Sequence, residues 1–400
     1  MADFRPAPSV TTETTIEAQV RAGKSAVYDQ LRWLWQWSSL AGVRKCMRVR
    51  YGPGVEVFCD DSGNVYFGGF CRCHSVWACP LCAPAVRAGQ ARQMARELVQ
   101  VVKDGKGLVF STLTVPHDQG DSLGALFTAT SRAWQDVRAD KSVRDWMGDQ
   151  EVQWRRTTEV THGKSGFHPH IHTVMVTARP LERPEVIDLR AMLYGPWCRS
   201  VERSGWRRPS QSYGVQTINV TGGAVGAEKV AQYVTKIQGL ASEMLRMDRK
   251  TGGKTRGMFS VLADAVSGDE WARSVWHAYE VGTKGRRAIA QSAGWRDEVS
   301  RGVVLTDEEA AALVADNGYR MIGTLDARQS DALVLAPRGF QLFADLVGDG
   351  SVAGWEAGMR WLQGSTPWWA TEAGWQAAVE AEAEAERFRQ DGEQLEMEWF

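Results

Sequence analysis

Residues 167–176 place three imidazoles, His168, His170 and His172, at alternate positions of an apolar run. Successive side chains of a strand point to opposite faces, so an extended reading sends all three histidines one way and Ile171, Thr173 and Met175 the other. Three imidazoles on one strand face can converge on a cation. Sixty-one residues past His172 stands Tyr233, with Lys236 three positions further on. A phenol attacks a phosphodiester only if something polarises the phosphorus and something absorbs charge. A metal and Lys236 would do both, so the set reads as a tyrosine nucleophile beside a metal. An isolated His-x-His is most often a pair of solvated histidines, and its neighbours decide between the two readings.

The elements around the histidines supply those neighbours. The stretch Gln153 to Thr161 is rich in Thr, Val and Trp and runs into His162-Gly163-Lys164-Ser165-Gly166, whose two glycines signal a turn. A hairpin with Gly163 to Gly166 as its loop pairs His162 with Phe167, which puts Glu159 opposite His170 and Thr157 opposite His172. Directly opposed residues share a face. Glu159 therefore joins His170 and His172 in a ligand set suited to Mg²⁺, Mn²⁺ or another divalent ion with open positions. A slip of one residue would destroy the set. Beyond Thr221-Gly222-Gly223, a helix start signal, Val230, Val234, Ile237 and Ala241 recur as an apolar stripe, leaving Lys229, Tyr233 and Lys236 along an adjacent face.

Six of the seven cysteines fall between residues 46 and 82, the seventh being Cys198. In a reducing compartment this clustering points to a structural Zn²⁺ rather than to disulfides. Cys79-Pro80-Leu81-Cys82 reads as a thiolate knuckle, and Cys73 is a good third ligand. Cys46, Cys71, Cys59 and His74 compete for the fourth place. Cys46 is preferred, because a zinc ribbon takes its ligand pairs from separate strands and Cys71 is too close to Cys73. A zinc deaminase is excluded, since its Pro-Cys-x-x-Cys and His-x-Glu elements are absent.

With 400 residues, 44% hydrophobic and 24% charged, the chain reads as a globular protein of two or three domains. It opens on no secretory segment and contains no run long enough to cross a bilayer, so a cytoplasmic location without membrane contact is expected. Residues 371–400 hold nine acidic and two basic side chains, and that −7 against −1 for the whole chain leaves +6 for residues 1–370. A modestly basic body with an acidic tail is compatible with a nucleic-acid partner. Among eighteen tryptophans, Trp134, Trp154 and Trp206 are the candidates for base stacking. The glycine-rich run Gly252 to Gly257 lacks the spacing of a nucleotide-binding loop and reads as a backbone contact or a solvated turn.

Helices are expected over 16–40, 86–102, 122–139, 183–201 and 224–246, and strands near 107–115, 152–161, 167–177 and 213–220. The class is α+β, an antiparallel sheet covered by helices on one face and preceded by a zinc ribbon-like module. The expected division is a helical segment over 1–44, the zinc module over 45–100 and the sheet domain over 101–295. An accessory region over 296–370 and an acidic tail over 371–400 complete it.

Three ordered motifs carry a resemblance to the replication initiator (Rep) proteins of Gram-positive rolling-circle plasmids, in particular the actinomycete-plasmid branch of these HUH endonucleases. They are Phe110-Ser111-Thr112-Leu113-Thr114-Val115-Pro116, His168-Pro169-His170-Ile171-His172 and Tyr233-Val234-Thr235-Lys236. The tyrosine follows the histidines, as in Rep proteins and unlike most conjugative relaxases of the same superfamily. Two flanking stretches extend the likeness, Arg72 to Cys82 and Trp276 to Arg287, so that it covers roughly residues 45 to 295.

The resemblance implies a ferredoxin-like (RRM-like) HUH sheet and metal-dependent nicking of a plasmid origin. A 5′-phosphotyrosine link to Tyr233 would form, and a host helicase and DNA polymerase would then take over. It also implies a zinc ribbon and the Lys284, Arg286 and Arg287 run as grips on duplex or hairpin DNA. Many relatives carry a glutamate one helical turn before the tyrosine, where this chain has Lys229. Either the helix is locally distorted, or the neighbouring Glu228 reaches in, or another acid such as Glu159 or a metal-bound water ends the cycle. A zinc-ribbon HUH transposase and a non-catalytic zinc-dependent DNA-binding protein are the alternatives. The His-x-His-x-Asp-His run of one metallohydrolase class is missing, Val174 standing at the aspartate position.

Overall fold

The two longest strands among the described residues are the arms of the hairpin that carries the histidines. β-branched residues recur along Gln153–Gly163 and Gly166–Thr177, and Thr157 and Glu159 on one arm and His168, His170 and His172 on the other fall at alternate positions. Gly163 and Gly166 pair with each other, so the turn is the dipeptide Lys164-Ser165 rather than a four-residue loop. Gly166 takes φ +83°, a conformation open to glycine without strain. The register follows from the tight turn: His162 pairs with Phe167, Glu159 with His170 and Thr157 with His172, as the glycine spacing implies.

The computed structural model describes residues 26–61, 63–221, 255–300, 319–336, 338–348 and 350–364. In chain order, helix α1 covers 26–37 and α2 Ala41–Lys45, followed by strands β1 (Val55–Cys59) and β2 (Val65–Phe67). Helix α3 (Cys82–Lys103), strand β3 (Gly107–Thr114) and helices α4 (Leu123–Ala139) and α5 (Lys141–Asp149) precede the hairpin strands β4 and β5. Then come α6 (Arg183–Arg203), β6 (Val215–Asn219), β7 (Thr255–Gly257), α7 (Met258–Val266), α8 (Glu270–Thr283) and β8 (Ile289–Gln291). The last elements are β9 (Arg320–Leu325), α9 (Ala327–Leu335), α10 (Gly339–Val347) and α11 (Val352–Gly364). The chain divides into two compact units.

The larger unit is built on an antiparallel sheet in the order β6-β3-β5-β4-β7, with β8 also paired to the outer edge of β4. Its two faces differ. On one, Val109, Leu113, Trp154, Val160, Ile171 and Met175 pack against α4, α6, α7 and α8 in one continuous core. On the other, Leu108, Phe110, Val174 and Val176 form a smaller core with Met94, Leu98, Val101 and Val102 of α3 and with Trp295. Helices thus lie on both faces of the sheet, which corrects the expectation of a single helical layer. The reason is local. The histidine-bearing face is apolar at one end, and Met94, Leu98, Val101 and Val102 present a helical stripe that covers that end. The polar end carries Thr112, Thr114, Glu159 and the histidines.

The smaller unit contains a three-stranded antiparallel sheet in the order β2-β1-β9. Both edges of β1 are satisfied, by Val65–Phe67 on one side and by Arg320–Leu325 on the other. Phe67, Phe70 and Tyr28 gather around Phe340, and Trp355 packs edge-on to Phe343. The described residues of 45–72 therefore fold with the described residues of 319–364. Pairing between β1 and β9, some 260 residues apart, is the physical cause.

Trp134 and Trp154 are 1% and 8% exposed and meet edge to face in the main core, so neither is a base platform. Trp206 packs half-buried against the same core. The second half of the glycine-rich run is strand β7, paired to Thr161–Gly163, with Arg256 bonded to Asp264. The expected helix over 224–246 lies outside the described residues, as do Glu228, Lys229, Tyr233 and Lys236.

Candidate functional site

The site is a polar ladder across three strands. On β5, His172, His170 and His168 face in turn Thr157, Glu159 and Thr161 of β4, and on the other side His172 and His170 face Thr112 and Thr114 of β3. Glu159 and His172 are both about 6% exposed, and His172 Nε2 lies 3.1 Å from Glu159 Oε2. Thr112 Oγ1 sits 3.2 Å from the other ring nitrogen, Nδ1. A hydroxyl can donate or accept, so Thr112 holds the ring in place in either tautomer. Phe110 lies nearly parallel to the His172 ring at 5.6 Å and closes the apolar end of the ladder.

His168 is fixed from outside the sheet. His117, three residues past the end of β3, donates through Nδ1 to the Ser165 carbonyl at 2.8 Å. In the neutral ring its Nε2 is then the acceptor, and it meets Nδ1 of His168 in a short hydrogen bond. The rings of His168 and His170 stand edge to face at 4.1 Å. Five of the seven histidines in the chain, His117, His162, His168, His170 and His172, thus belong to this hairpin or touch it. His162, wedged against Phe167 and Trp271, is held below the ordinary imidazole range by burial, with Arg256 and His117 adding to the effect.

A buried ion pair anchors the ladder to α3. Arg155, on the same face of β4 as Thr157 and Glu159, bonds Glu97 at 2.8 Å, and both side chains are 6% exposed. Glu97 also accepts from Ser300 Oγ at 2.6 Å and Trp295 Nε1 at 3.3 Å, while Arg155 Nε reaches Gln291 Oε1 at 3.0 Å. Burial presses the Arg155 guanidinium downward and the Glu97 carboxylate opposes it. Every charge in this network has a geometric partner, the condition under which a buried pair fixes an element rather than loosening it.

The second cluster consists of four thiols. The sulfurs of Cys46, Cys73, Cys79 and Cys82 all lie within 4.8 Å of one another. Four thiolates about 2.3 Å from a tetrahedral Zn²⁺ stand roughly 3.8 Å apart, so the cluster fits that ion in number, chemistry and spacing. Cys82 is the first residue of α3, and its backbone N–H donates to Cys79 Sγ at 3.3 Å. Cys71, Cys59 and His74, the rivals for the fourth place, are not in the group. Among the described residues it is the one set of three or more such donors that converges this closely. The His170, His172 and Glu159 donors share a face but are not drawn to a point. In kind they suit a divalent ion, two imidazoles and a carboxylate on adjacent paired strands.

Of the basic run, Lys284, Arg286 and Arg287 follow the end of α8 and are all exposed. Arg286 is docked on α4, donating to the Gly124 carbonyl and Thr128 Oγ1, and its own carbonyl accepts from Trp77 Nε1. The sequence motifs gave no role to Thr112, which lies inside the first of them, and stopped one residue short of His117. Thr112 was signalled by its alternation with Thr114 in a strand next to the histidines. His117 was signalled only by following Pro116 directly.

An antiparallel α+β sheet with a histidine strand, in a chain that also carries a four-thiol cluster, is the organisation that the Rep resemblance implies. The family model for replication proteins, Rep_1, matches residues 63–180, which include β3, β4 and the whole histidine strand. The chain is 28% identical over 301 residues to a protein named "Protein rep" from Streptomyces lividans, over 59% of this chain and 65% of that protein. It is 25% identical over 134 residues to a neomycin resistance protein from Streptomyces cyanogenus, over 27% of this chain and 31% of that one. The matches thus span less than two thirds of either relative. No solved structure matches the chain. The chain is thus similar to replication proteins, and the matched family model covers the histidine hairpin and the strand beside it. Among the described residues no helix is long and apolar enough to cross a membrane.

Proposed function

We propose that this chain initiates rolling-circle replication of a plasmid by nicking one strand of its origin and holding the cut 5′ end covalently. The observation that carries the reading is the ladder itself, with Glu159 opposite His170 and 3.1 Å from His172. A divalent ion, Mg²⁺ or Mn²⁺, held by His170, His172 and Glu159 would polarise the scissile phosphate. Thr112 orients His172, and His117 orients His168 from the loop after β3. Tyr233 supplies the nucleophile: its phenolic oxygen bonds to phosphorus as the bond to the 3′ oxygen breaks, and the departing oxygen leaves as a 3′-hydroxyl. Lys236 offsets charge near the phosphate. The phosphotyrosine conserves the phosphodiester energy for rejoining, with Glu228 or Glu159 as the acid that serves the closing step.

The four-thiol cluster is assigned to structural Zn²⁺, which is saturated by protein ligands and has no open position for substrate. Lys284, Arg286 and Arg287 are assigned to origin DNA, and a host helicase and DNA polymerase extend the freed 3′ end. The test is incubation of the wild type and Tyr233→Phe with supercoiled plasmid carrying the origin, in Mg²⁺ or Mn²⁺. The wild type is expected to relax the plasmid, and the variant to bind the origin without nicking it. Nicking by Tyr233→Phe at the wild-type rate would overturn the reading.

A further inference from the structure

Beside the ladder lies an open cleft of about 390 Å³ whose walls include His117, Ser165, His168, Arg207, Arg208 and Tyr213. The His117–His168 contact is its boundary with the candidate nuclease site. No carboxylate is among the residues lining the cleft, while two arginines are. Arg207 is held by Asp118 in a pair exposed on both sides, at 68% and 70%, the kind of contact that is readily exchanged for another anion. Tyr213 is 72% exposed, an unusual position for a large aromatic residue.

The loop that presents these groups is held firmly from behind. Tyr194 Oη donates to the Pro209 carbonyl at 2.8 Å, Arg190 donates to the carbonyls of Gln211 and Val215, and Gly214 N–H donates to the Ser210 carbonyl at 2.7 Å. Thr114, which faces His170, closes the arrangement by donating its N–H to the Gly214 carbonyl at 3.0 Å. A Cβ at Gly214 would meet Pro209 Cβ at 2.6 Å, so the turn is closed tightly against itself. Its backbone polar groups point into the fold and its aromatic and cationic side chains point out.

We propose that this cleft binds single-stranded DNA next to the cut, with one base stacked on Tyr213 and the adjoining phosphate on Arg207. The proposal rests on the nuclease reading and gives it a strand-holding subsite. A bare aromatic face beside a cation on a rigid loop is the combination that grips single strands without regard to sequence, since every base has a π-face. The volume lies within the range of ligand clefts.

The test uses the full chain, a fluorescein-labelled twelve-residue oligothymidylate followed by anisotropy, and a plasmid-nicking assay in parallel. Tyr213→Ala is expected to weaken binding at least about fivefold. Tyr213→Phe should bind within about twofold of wild type, because the ring and not the hydroxyl is used. Arg207→Ala should lower the slope of log affinity against log salt by about 0.7, the loss of one phosphate contact on a single strand. These side chains are exposed, and an unchanged melting temperature for each variant shows that folding is not involved. Tyr213→Ala binding like wild type would overturn the subsite, as would a wild type that nicks plasmid yet does not bind the oligonucleotide. A wild type that does neither would overturn the nuclease reading together with the subsite.

Discussion

Replacing Glu97 by alanine tests whether the ladder is held in place from α3. The substitution leaves Arg155 buried, its side chain 6% exposed, and without the carboxylate 2.8 Å away. It also takes the acceptor from Ser300 Oγ and Trp295 Nε1. Removing one partner of a buried pair costs about 3–5 kcal/mol, because the other charge stays desolvated. The stranded neutral donors belong to the same network, so their cost is not simply added. At about 2–4 °C per kcal/mol for a unit of this size, the melting temperature should fall on the order of 10 °C. Circular dichroism or differential scanning calorimetry reads it directly. Glu97→Leu combined with Arg155→Met, which removes both charges and keeps apolar volume, should recover most of the loss. A drop of less than about 2 °C in Glu97→Ala would refute the reasoning, since it would mean that Arg155 finds water or another partner and the pair does not secure β4 to α3.

Three further outcomes are expected. Thr112→Val removes the hydroxyl at His172 Nδ1 and should weaken Mn²⁺ binding or nicking about 10- to 100-fold; unchanged Mn²⁺ affinity by calorimetry would show that Thr112 does not orient the ring. Cys46→Ser and Cys82→Ser should each lose about one zinc per chain by elemental analysis, whereas Cys71→Ser should keep it; full zinc in Cys82→Ser would contradict the thiol cluster. His162 is held below its usual value of 6.5, chiefly by burial. The folded state thus binds fewer protons than the unfolded state just below pH 6.5. The stability of the neutral form is present above 6.5 and lost as pH falls through the folded value. Between about pH 7.5 and 5 the wild type should therefore lose stability relative to His162→Phe, which keeps the ring without its proton; parallel melting curves for the two would count against this.

The hairpin was readable residue by residue because two independent signals coincide there. A strand period of two assigns the face, and the glycines of the turn assign the register, so Glu159 opposite His170 follows from local chemistry. The thiol cluster was readable as well: the crowding of cysteines points to a metal site, and the nearness of Cys71 to Cys73 favours Cys46, the thiol that the fold brings to the other three. What the sequence hid is non-local. Helix α3 covers the apolar end of the histidine face, and β9 pairs with β1 across some 260 residues, contacts that no window of local periodicity contains. His117 stayed hidden for a related reason, because it reaches His168 from a loop whose path only the folded sheet sets. Trp134 and Trp154 were readable as aromatic but not as core, since burial is decided by the helices packed over them.

The central claim, covalent capture of a cut strand by this chain, is tested most directly by locating the bond. The full chain is incubated with origin plasmid and Mg²⁺ or Mn²⁺, denatured, and digested with nuclease and protease, and the nucleotide-bearing peptide is sequenced by mass spectrometry. The account expects a 5′-linked nucleotide on Tyr233, formed only with the divalent ion and lost in a variant carrying both His170→Ala and His172→Ala. A nicked plasmid with no protein-linked 5′ end, or a nucleotide carried by a different residue such as Tyr213, would contradict it.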